Sequence, residues 1–302
     1  MSEVVVIGNA GIDTNVYLYG ADVDFSVEAN FSDNRDMVGQ AGGYSARGYA
    51  ALGRATAFIG HVGDDHNGRL VRETLAADGI DLRGLAIDPA GTARSVNLMY
   101  RDGRRKNFYD GKGHMALEPD LDLCAGVLSG ARLAHVHLPN WARHVLPLAR
   151  ALGLVIACDL QDVVDPADPY RADFIAAADI LFFSAANHAD PTPLLARFAG
   201  GRPGRVVVAG MGARGCGLAV DDTVRFFPPP PLDSPVIDTN GAGDALAVGF
   251  LSSYVLDGYS PEEALLRGQI AARHTCALRG ASDGLITQPE LDARYAALTT
   301  GR

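Results

Sequence analysis

The chain has 302 residues, 48% apolar and 21% charged, and a formal net charge of −10. This suits a soluble globular protein with one large or two small α/β domains, and the charge argues against a nucleic-acid partner, whose phosphates would be repelled. No apolar run approaches the ~20 residues that span a bilayer. The start, Met-Ser-Glu-Val-Val-Val-Ile-Gly, lacks a basic segment and reads as a strand rather than a signal peptide. Cys124, Cys158, Cys216 and Cys276 are scattered, with no C-x-x-C and no histidine pairing at metal spacing. Reduced core cysteines in a cytoplasmic protein are expected.

Val4-Val5-Val6-Ile7 before Gly8 predicts a buried parallel strand entering a loop. Asp13 follows just beyond the expected carboxyl end of that strand, where ligands bind in open α/β sheets; a structural Asp in a turn fits equally well. Residues 14–38 alternate without helical period and read as a small β excursion. A second excursion is expected at 91–110, where two alternating runs flank Asp102-Gly103, a strong hairpin signal. The basic run Arg104, Arg105, Lys106 in it reads as a solvated strand face. Between the two excursions, Gly39 to Arg47, with the twin Gly42-Gly43, opens a helix ending near Leu52-Gly53. Strand 57–60 comes next, and Gly63-Asp64-Asp65-His66-Asn67-Gly68 caps a helix that stops at Asp78-Gly79.

The middle of the chain alternates strands (133–138, 155–160, 180–183, 205–209) with helices (141–152, 170–178, 191–199), the pattern of a parallel, doubly wound sheet. His135 and His137 read as core or loop-edge histidines. Gly210, Gly212 and Gly215 match G-x-G-x-x-G, but a dinucleotide site needs a helix there. Instead, residues 216–220 and 224–227 read as a hairpin, followed by the stiff connector Pro228 to Pro231. That connector leads to Val236-Ile237-Asp238-Thr239-Asn240-Gly241-Ala242-Gly243-Asp244 and a small-residue helix. Side chains at 241–243 are nearly absent, so an anion can approach the backbone N–H groups at the positive end of the helix. Such a place stabilises a phosphoryl group in flight. Asp244 stands at its mouth, placed to take a proton from an attacking hydroxyl. For a lone Gly-x-Gly-Asp, a tight turn with a helix-capping Asp would be the better reading. A further helix runs from Pro261 to Arg279.

The full string D-T-N-G-A-G-D resembles the signature of the ribokinase-like kinases, the PfkB carbohydrate kinase family. The twin glycine and the G-D-D-x-x-G element resemble that family's first signature region, and the likeness extends along nearly the whole chain. The resemblance implies one kinase domain over 1–302, with a doubly wound, mostly parallel sheet flanked by helices and a small β-sheet lid from segments 14–38 and 91–110. It implies an ATP-dependent kinase acting on a hydroxyl of a sugar or small polyol. Asp244 would be the base, and Gly241, Ala242 and Gly243 the anion hole. It also implies that Asp13, Gly42, Gly43 and the residue at 47 meet the acceptor. Gly210, Gly212, Gly215 and Asn240 would lie along ATP, Mg²⁺ would bridge its oxygens, and Asp238 with the Gly280–Gly284 loop would hold K⁺ or a similar cation. A homodimer through the lid belongs to the same expectation.

Two departures stand out. Arg47 replaces the family's usual Asn, so an anionic group should face it: an internal acid, with Asp13 the first candidate, ahead of an acidic or phosphorylated acceptor. Ser184 and Asn187 occupy the places of the N-x-x-E element, so its carboxylate is missing. The other readings are a catalytically weak sugar- or nucleotide-binding regulatory protein on this fold, a nucleoside kinase, and, more distantly, a nicotinamide dehydrogenase.

Overall fold

The computed structural model describes residues 2–231, 234–280, 282 and 284–300. The chain runs β1 (Val4–Ile7), β2 (Gly11–Leu18), β3 (Ser32–Gly39), α1 (Gln40–Ala51), β4 (Thr56–Val62), α2 (His66–Ala77) and β5 (Asp81–Ile87). Next come β6 (Arg94–Met99), β7 (Arg105–Asp110), α3 (Leu121–Leu128), β8 (Leu133–Val136), α4 (Leu146–Ala151), β9 (Val155–Asp162), α5 (Ala172–Ala177) and β10 (Ile180–Ser184). The last part comprises α6 (Thr192–Gly200), β11 (Val206–Gly210), β12 (Cys216–Val220), β13 (Thr223–Phe227), α7 (Ala242–Leu251), α8 (Pro261–Cys276) and α9 (Gln288–Thr299).

A nine-stranded sheet has the order β13-β12-β11-β10-β9-β8-β1-β4-β5. Neighbours from β11 to β5 pair in parallel, and the hairpin β12–β13 closes one edge antiparallel. Its central strands are apolar on both faces because helices cover both. Val4 and Val6 point into a core shared with α1, α2, α7, α8 and α9. Val5 and Ile7 point into a second core with α3, α4, α5 and α6. The fold is α/β and doubly wound. β5, α3 and α9 had no counterpart in the sequence reading. β5 is an edge strand whose alternation is broken by Asp81, Arg83 and Gly84, and α3 is too short to show a helical period. Helix 141–152 is a 3₁₀ stretch at Asn140–Val145 followed by α4, with Pro147 in the first turn of α4, where its missing N–H costs least.

The two β excursions form one four-stranded sheet in the order β3-β2-β6-β7, with β2 and β6 parallel and the outer pairs antiparallel. Its register aligns three rows of side chains on one face. They are Met37-Asp13-Ser95-Tyr109, Arg35-Asn15-Asn97-Asn107 and Asp33-Tyr17-Met99-Arg105. Asn15, Asn97 and Ser95 are buried. Their burial is tolerated because the amides bond one another: Asn107 Nδ2 donates to Asn97 Oδ1 at 2.8 Å and Asn97 Nδ2 to Asn15 Oδ1 at 2.9 Å. This polar face meets the carboxyl end of the large sheet.

Candidate active site

Two elements bring the site together: the sharp passage from β3 into α1, and the turn before α7. Asp13 lies within β2, not in a loop after β1, and is 4% exposed. Its Oδ2 accepts from the Gln40 backbone N (3.1 Å) and from Tyr44 Oη (2.6 Å), and its Oδ1 accepts from Gln40 Nε2 (2.6 Å). Burial raises its pKa, while the Tyr44 and Gln40 bonds pull the other way. Gly42 lets α1 approach the end of β1: a Cβ there would stand 2.6 Å from the Asn9 carbonyl oxygen. The Gly43 N–H donates to that same oxygen at 3.2 Å.

The turn before α7 is held by Asp238, 4% exposed, whose Oδ1 accepts from Asn240 N at 2.8 Å. Its Oδ2 accepts from Tyr17 Oη (2.5 Å) and Gly280 N (3.2 Å), so a lid strand is tied to this turn. Ala281 and Asp283, in the loop expected to join Asp238 around a monovalent cation, lie outside the described residues. Asn240 Nδ2 donates to Tyr44 Oη (3.1 Å), and Arg105 Nη1 of the lid donates to Asn240 Oδ1. A continuous network thus runs Asp13–Tyr44–Asn240–Arg105. Gly241 takes a left-handed φ of 69°, which turns the chain sharply into α7. The amide of Ala242 differs from expectation, because it donates back to the Thr239 carbonyl at 3.3 Å and is engaged within the turn.

Asp244 sits in the first turn of α7, with Oδ1 fully buried and unpartnered. Burial, then the like charge of Asp159, pushes its pKa well up, and Arg105 opposes the rise. Asp159 lies within β9, and burial lifts its pKa to about 6 against a bond from Gln161 N (2.8 Å). His137 completes the group: a ring nitrogen of His137 and carboxylate oxygens of Asp159 and Asp244 all lie within 4.8 Å of one another. The histidine is 2% exposed, and burial drives its pKa down to about 3, so it is neutral. His135 packs against it with ring planes tilted by 40° and centroids 4.6 Å apart, and its own Nδ1 meets Tyr49 Oη at 3.2 Å.

The reading of His135 as a core residue matches its place, but His137 faces the candidate catalytic carboxylate. The signal was two-residue periodicity: Leu133, His135 and His137 share a face with Ala157 and Asp159 across the Val136–Cys158 register. Arg105 was missed for a similar reason, since only strand parity sets it apart from its basic neighbour Lys106. Arg47 has the internal acidic partner expected of it, but that partner is Asp78 in place of Asp13. Its Nε donates to Asp78 Oδ2 at 2.6 Å, at the end of α2, and not to Asp13. The side chain is 15% exposed, and the anionic partner is internal, at the end of α2 and not part of the Asp13 network. Arg47→Ala is expected to cost about 1 kcal/mol of stability and leave the acceptor KM within about twofold; a KM rise confined to acidic acceptors would return it to the acceptor site.

The Gly210, Gly212 and Gly215 segment opens no helix beyond a single 3₁₀ turn at Gly212–Arg214, and β12 then returns antiparallel, so dinucleotide geometry is absent from it. Arg214 donates to the carbonyls of Ala185, His188 and Ala189. That fixes the segment holding Asn187, which is exposed, beside Ser184 at the end of β10. These two side chains carry neutral oxygens and no carboxylate.

Asp159 also carries a stability consequence. A carboxyl titrating at about 6 in the fold and near 3.8 when free costs up to about 3 kcal/mol at pH 8. Because the folded pKa is the raised one, the cost appears as pH rises through about 6 and is absent below 3.8. Asp159→Asn should therefore unfold at a higher temperature than the parent at pH 8, with the gap closing as pH falls below 6. Equal melting temperatures at pH 8 would mean that Asp159 is not strained by burial.

A lid over the carboxyl ends of a parallel sheet, a glycine turn opening a helix and a carboxylate in its first turn define a phosphotransferase of the carbohydrate kinase class. Residues 1–288 match the pfkB family carbohydrate kinase profile, and the chain belongs to that family. It is 31% identical to acarbose 7(IV)-phosphotransferase of Actinoplanes sp., covering 96% of this chain and 97% of that one. It is 30% identical to an ATP-dependent ribose-1-phosphate kinase of Halopiger xanaduensis, over 90% of each chain. Among solved structures, a microbiome-derived acarbose kinase superposes with a TM-score of 0.89 at 31% identity, covering 98% of this chain and 99% of that one. The protein is accordingly a phosphotransferase with an alcohol group as acceptor. No helix among the described residues is long and apolar enough to cross a membrane.

Proposed function

We propose that the protein transfers the γ-phosphoryl group of ATP to a hydroxyl of a sugar or sugar-like polyol. The observation that carries this reading is the placement of Asp244 at the first turn of α7, in the electrostatic reach of Asp13 and Arg105. The acceptor lies between the polar lid face and the carboxyl ends of the large sheet. Asp13, fixed by Gln40 and Tyr44, accepts a bond from one of its hydroxyls, and the Asn and Ser side chains of the lid suit the others. Asp244 takes the proton as the hydroxyl oxygen attacks the γ-phosphorus. The bond to the β–γ bridging oxygen breaks and ADP leaves.

The amides of Gly241 and Gly243 and the dipole of α7 stabilise the charge on the phosphoryl group in transit. Arg105 adds a full positive charge from the lid. ATP lies toward Gly210, Gly212, Gly215 and Asn240. Ser184 and Asn187 would offer neutral donors to Mg²⁺, which would supply charge neutralisation on the nucleotide oxygens. Asp238 braces the turn, and a monovalent cation beside it would order the turn further. The exposed Phe25 and Phe31 between β2 and β3 suit a homodimer through the lid, and a cytoplasmic location goes with the reduced thiols.

The acceptor class rests on the amide and hydroxyl side chains of Asn15, Ser95, Asn97 and Asn107 on the lid face and on the two acarbose-phosphorylating relatives. Neutral mono- and oligosaccharides are expected ahead of sugar phosphates. An ADP-release screen with Mg²⁺, with and without K⁺, over sugars, acarbose and maltose-type oligosaccharides, ribose 1-phosphate, inositols and nucleosides tests this. Turnover on none of them would favour the regulatory-protein reading, and turnover on nucleosides alone would overturn the acceptor class.

A further inference from the structure

The transfer step uses one carboxylate of the His137, Asp159 and Asp244 group and leaves His137 and Asp159 unassigned. Both ring nitrogens of His137 lack a hydrogen-bond partner although the residue is 2% exposed, and so does the buried Oδ1 of Asp244. Buried polar atoms are nearly always paired, and each orphan costs roughly 1–3 kcal/mol. One ring nitrogen of His137 and Oδ1 of Asp244 thus stand unpartnered beside the Asp159 carboxylate, which calls for a shared partner. The three ligand atoms lie within 4.8 Å of one another, near the separation of donors that each stand about 2.0–2.2 Å from one ion.

We propose that His137, Asp159 and Asp244 form a site for one divalent transition-metal ion of the Mn²⁺–Zn²⁺ series, separate from the Mg²⁺ that accompanies a nucleotide. The donor set chooses the ion. Imidazole favours transition metals, whereas Mg²⁺ prefers an all-oxygen octahedron and holds its waters. Two carboxylates match the charge of a dication, and three protein ligands leave further positions for water or a hydroxyl. The ion also relieves the repulsion between Asp159 and Asp244. Since it occupies the oxygens of the proposed base, the loaded protein is the inhibited one, and chelation restores transfer.

The site is tested without nucleotide or acceptor, so its failure is separable from that of the kinase reading. Metal-free protein is titrated with Co²⁺, Mn²⁺, Zn²⁺ and Mg²⁺ by calorimetry, and Co²⁺ binding is followed by its visible absorption. The wild type should bind one Co²⁺ or Zn²⁺ with a spectrum typical of mixed nitrogen and oxygen ligation, and Mg²⁺ in equal amount should not displace it. His137→Gln should weaken binding by about tenfold or more and lose the nitrogen-dependent band. Asp159→Asn provides a second variant, with far-UV circular dichroism as the folding control for both. Absence of stoichiometric binding to the wild type, or folded variants that bind within tenfold of it, would overturn the proposal.

Discussion

Asp244→Asn is expected to lower kcat by about 10²–10⁴-fold, the range lost when a positioned base is removed, while ATP and acceptor still bind. The substitution keeps the shape of the side chain and removes a charge that burial and Asp159 both disfavour. Melting temperature should therefore stay level or rise. That combination distinguishes a base from a structural helix cap, whose loss would lower stability and spare turnover. The same electrostatics set a pH dependence. Asp244 must be ionised to accept a proton, and its folded pKa is raised, so kcat/KM falls with decreasing pH above the ordinary carboxylate range. Asp159→Asn removes one cause of the rise and should move that acidic limb to lower pH, with Mg²⁺ as the only added dication. Turnover of Asp244→Asn within threefold of the parent would remove Asp244 from the chemistry.

The parts of the site that were legible in the sequence are those where local backbone dictates chemistry. Gly241 to Asp244 read as a turn into a helix because small residues and an acid there have few other uses. The β/α alternation from residue 133 onward read as a doubly wound sheet because burial on both faces leaves unbroken apolar runs. What stayed hidden depends on register. Asp13 reads as a loop residue until β2 is seen to pair with both β3 and β6. His137 gains Asp159 and Asp244 as neighbours only when β8 is set beside β9 and the face toward α7 is known. Arg47 belonged to a motif position by spacing, but its guanidinium is taken up by Asp78 at the end of α2, a contact that spacing along α1 does not show. Short or broken elements such as α3 and β5 carry too few periods to be read at all.

Arg105→Ala is expected to reduce kcat by about 10²–10³-fold, the loss seen when one preorganised donor to a developing charge is removed. In sequence it is one of three consecutive cations, and a solvated strand face was the natural reading for all three. Strand parity separates them. Arg105 shares the inward face of β7 with Asn107 and Tyr109, while Lys106 alternates to the other face and Arg104, in the turn, pairs with Asp102 at 2.6 Å. From that face Arg105 reaches Asn240 at the glycine turn and lowers the pKa of both Asp13 and Asp244. A guanidinium so placed favours the ionised base before transfer and the phosphoryl charge during it. Its removal should act twice, slowing transfer and moving the acidic limb of kcat/KM to higher pH. Arg105→Lys keeps the charge without the fork and should recover part of the rate. Arg104→Ala and Lys106→Ala should stay within about threefold of wild type on the same assay, since neither side chain faces the turn. If all three alanine variants behave alike, the basic run is a solvated face after all, and the charge that assists transfer must come from elsewhere in the site.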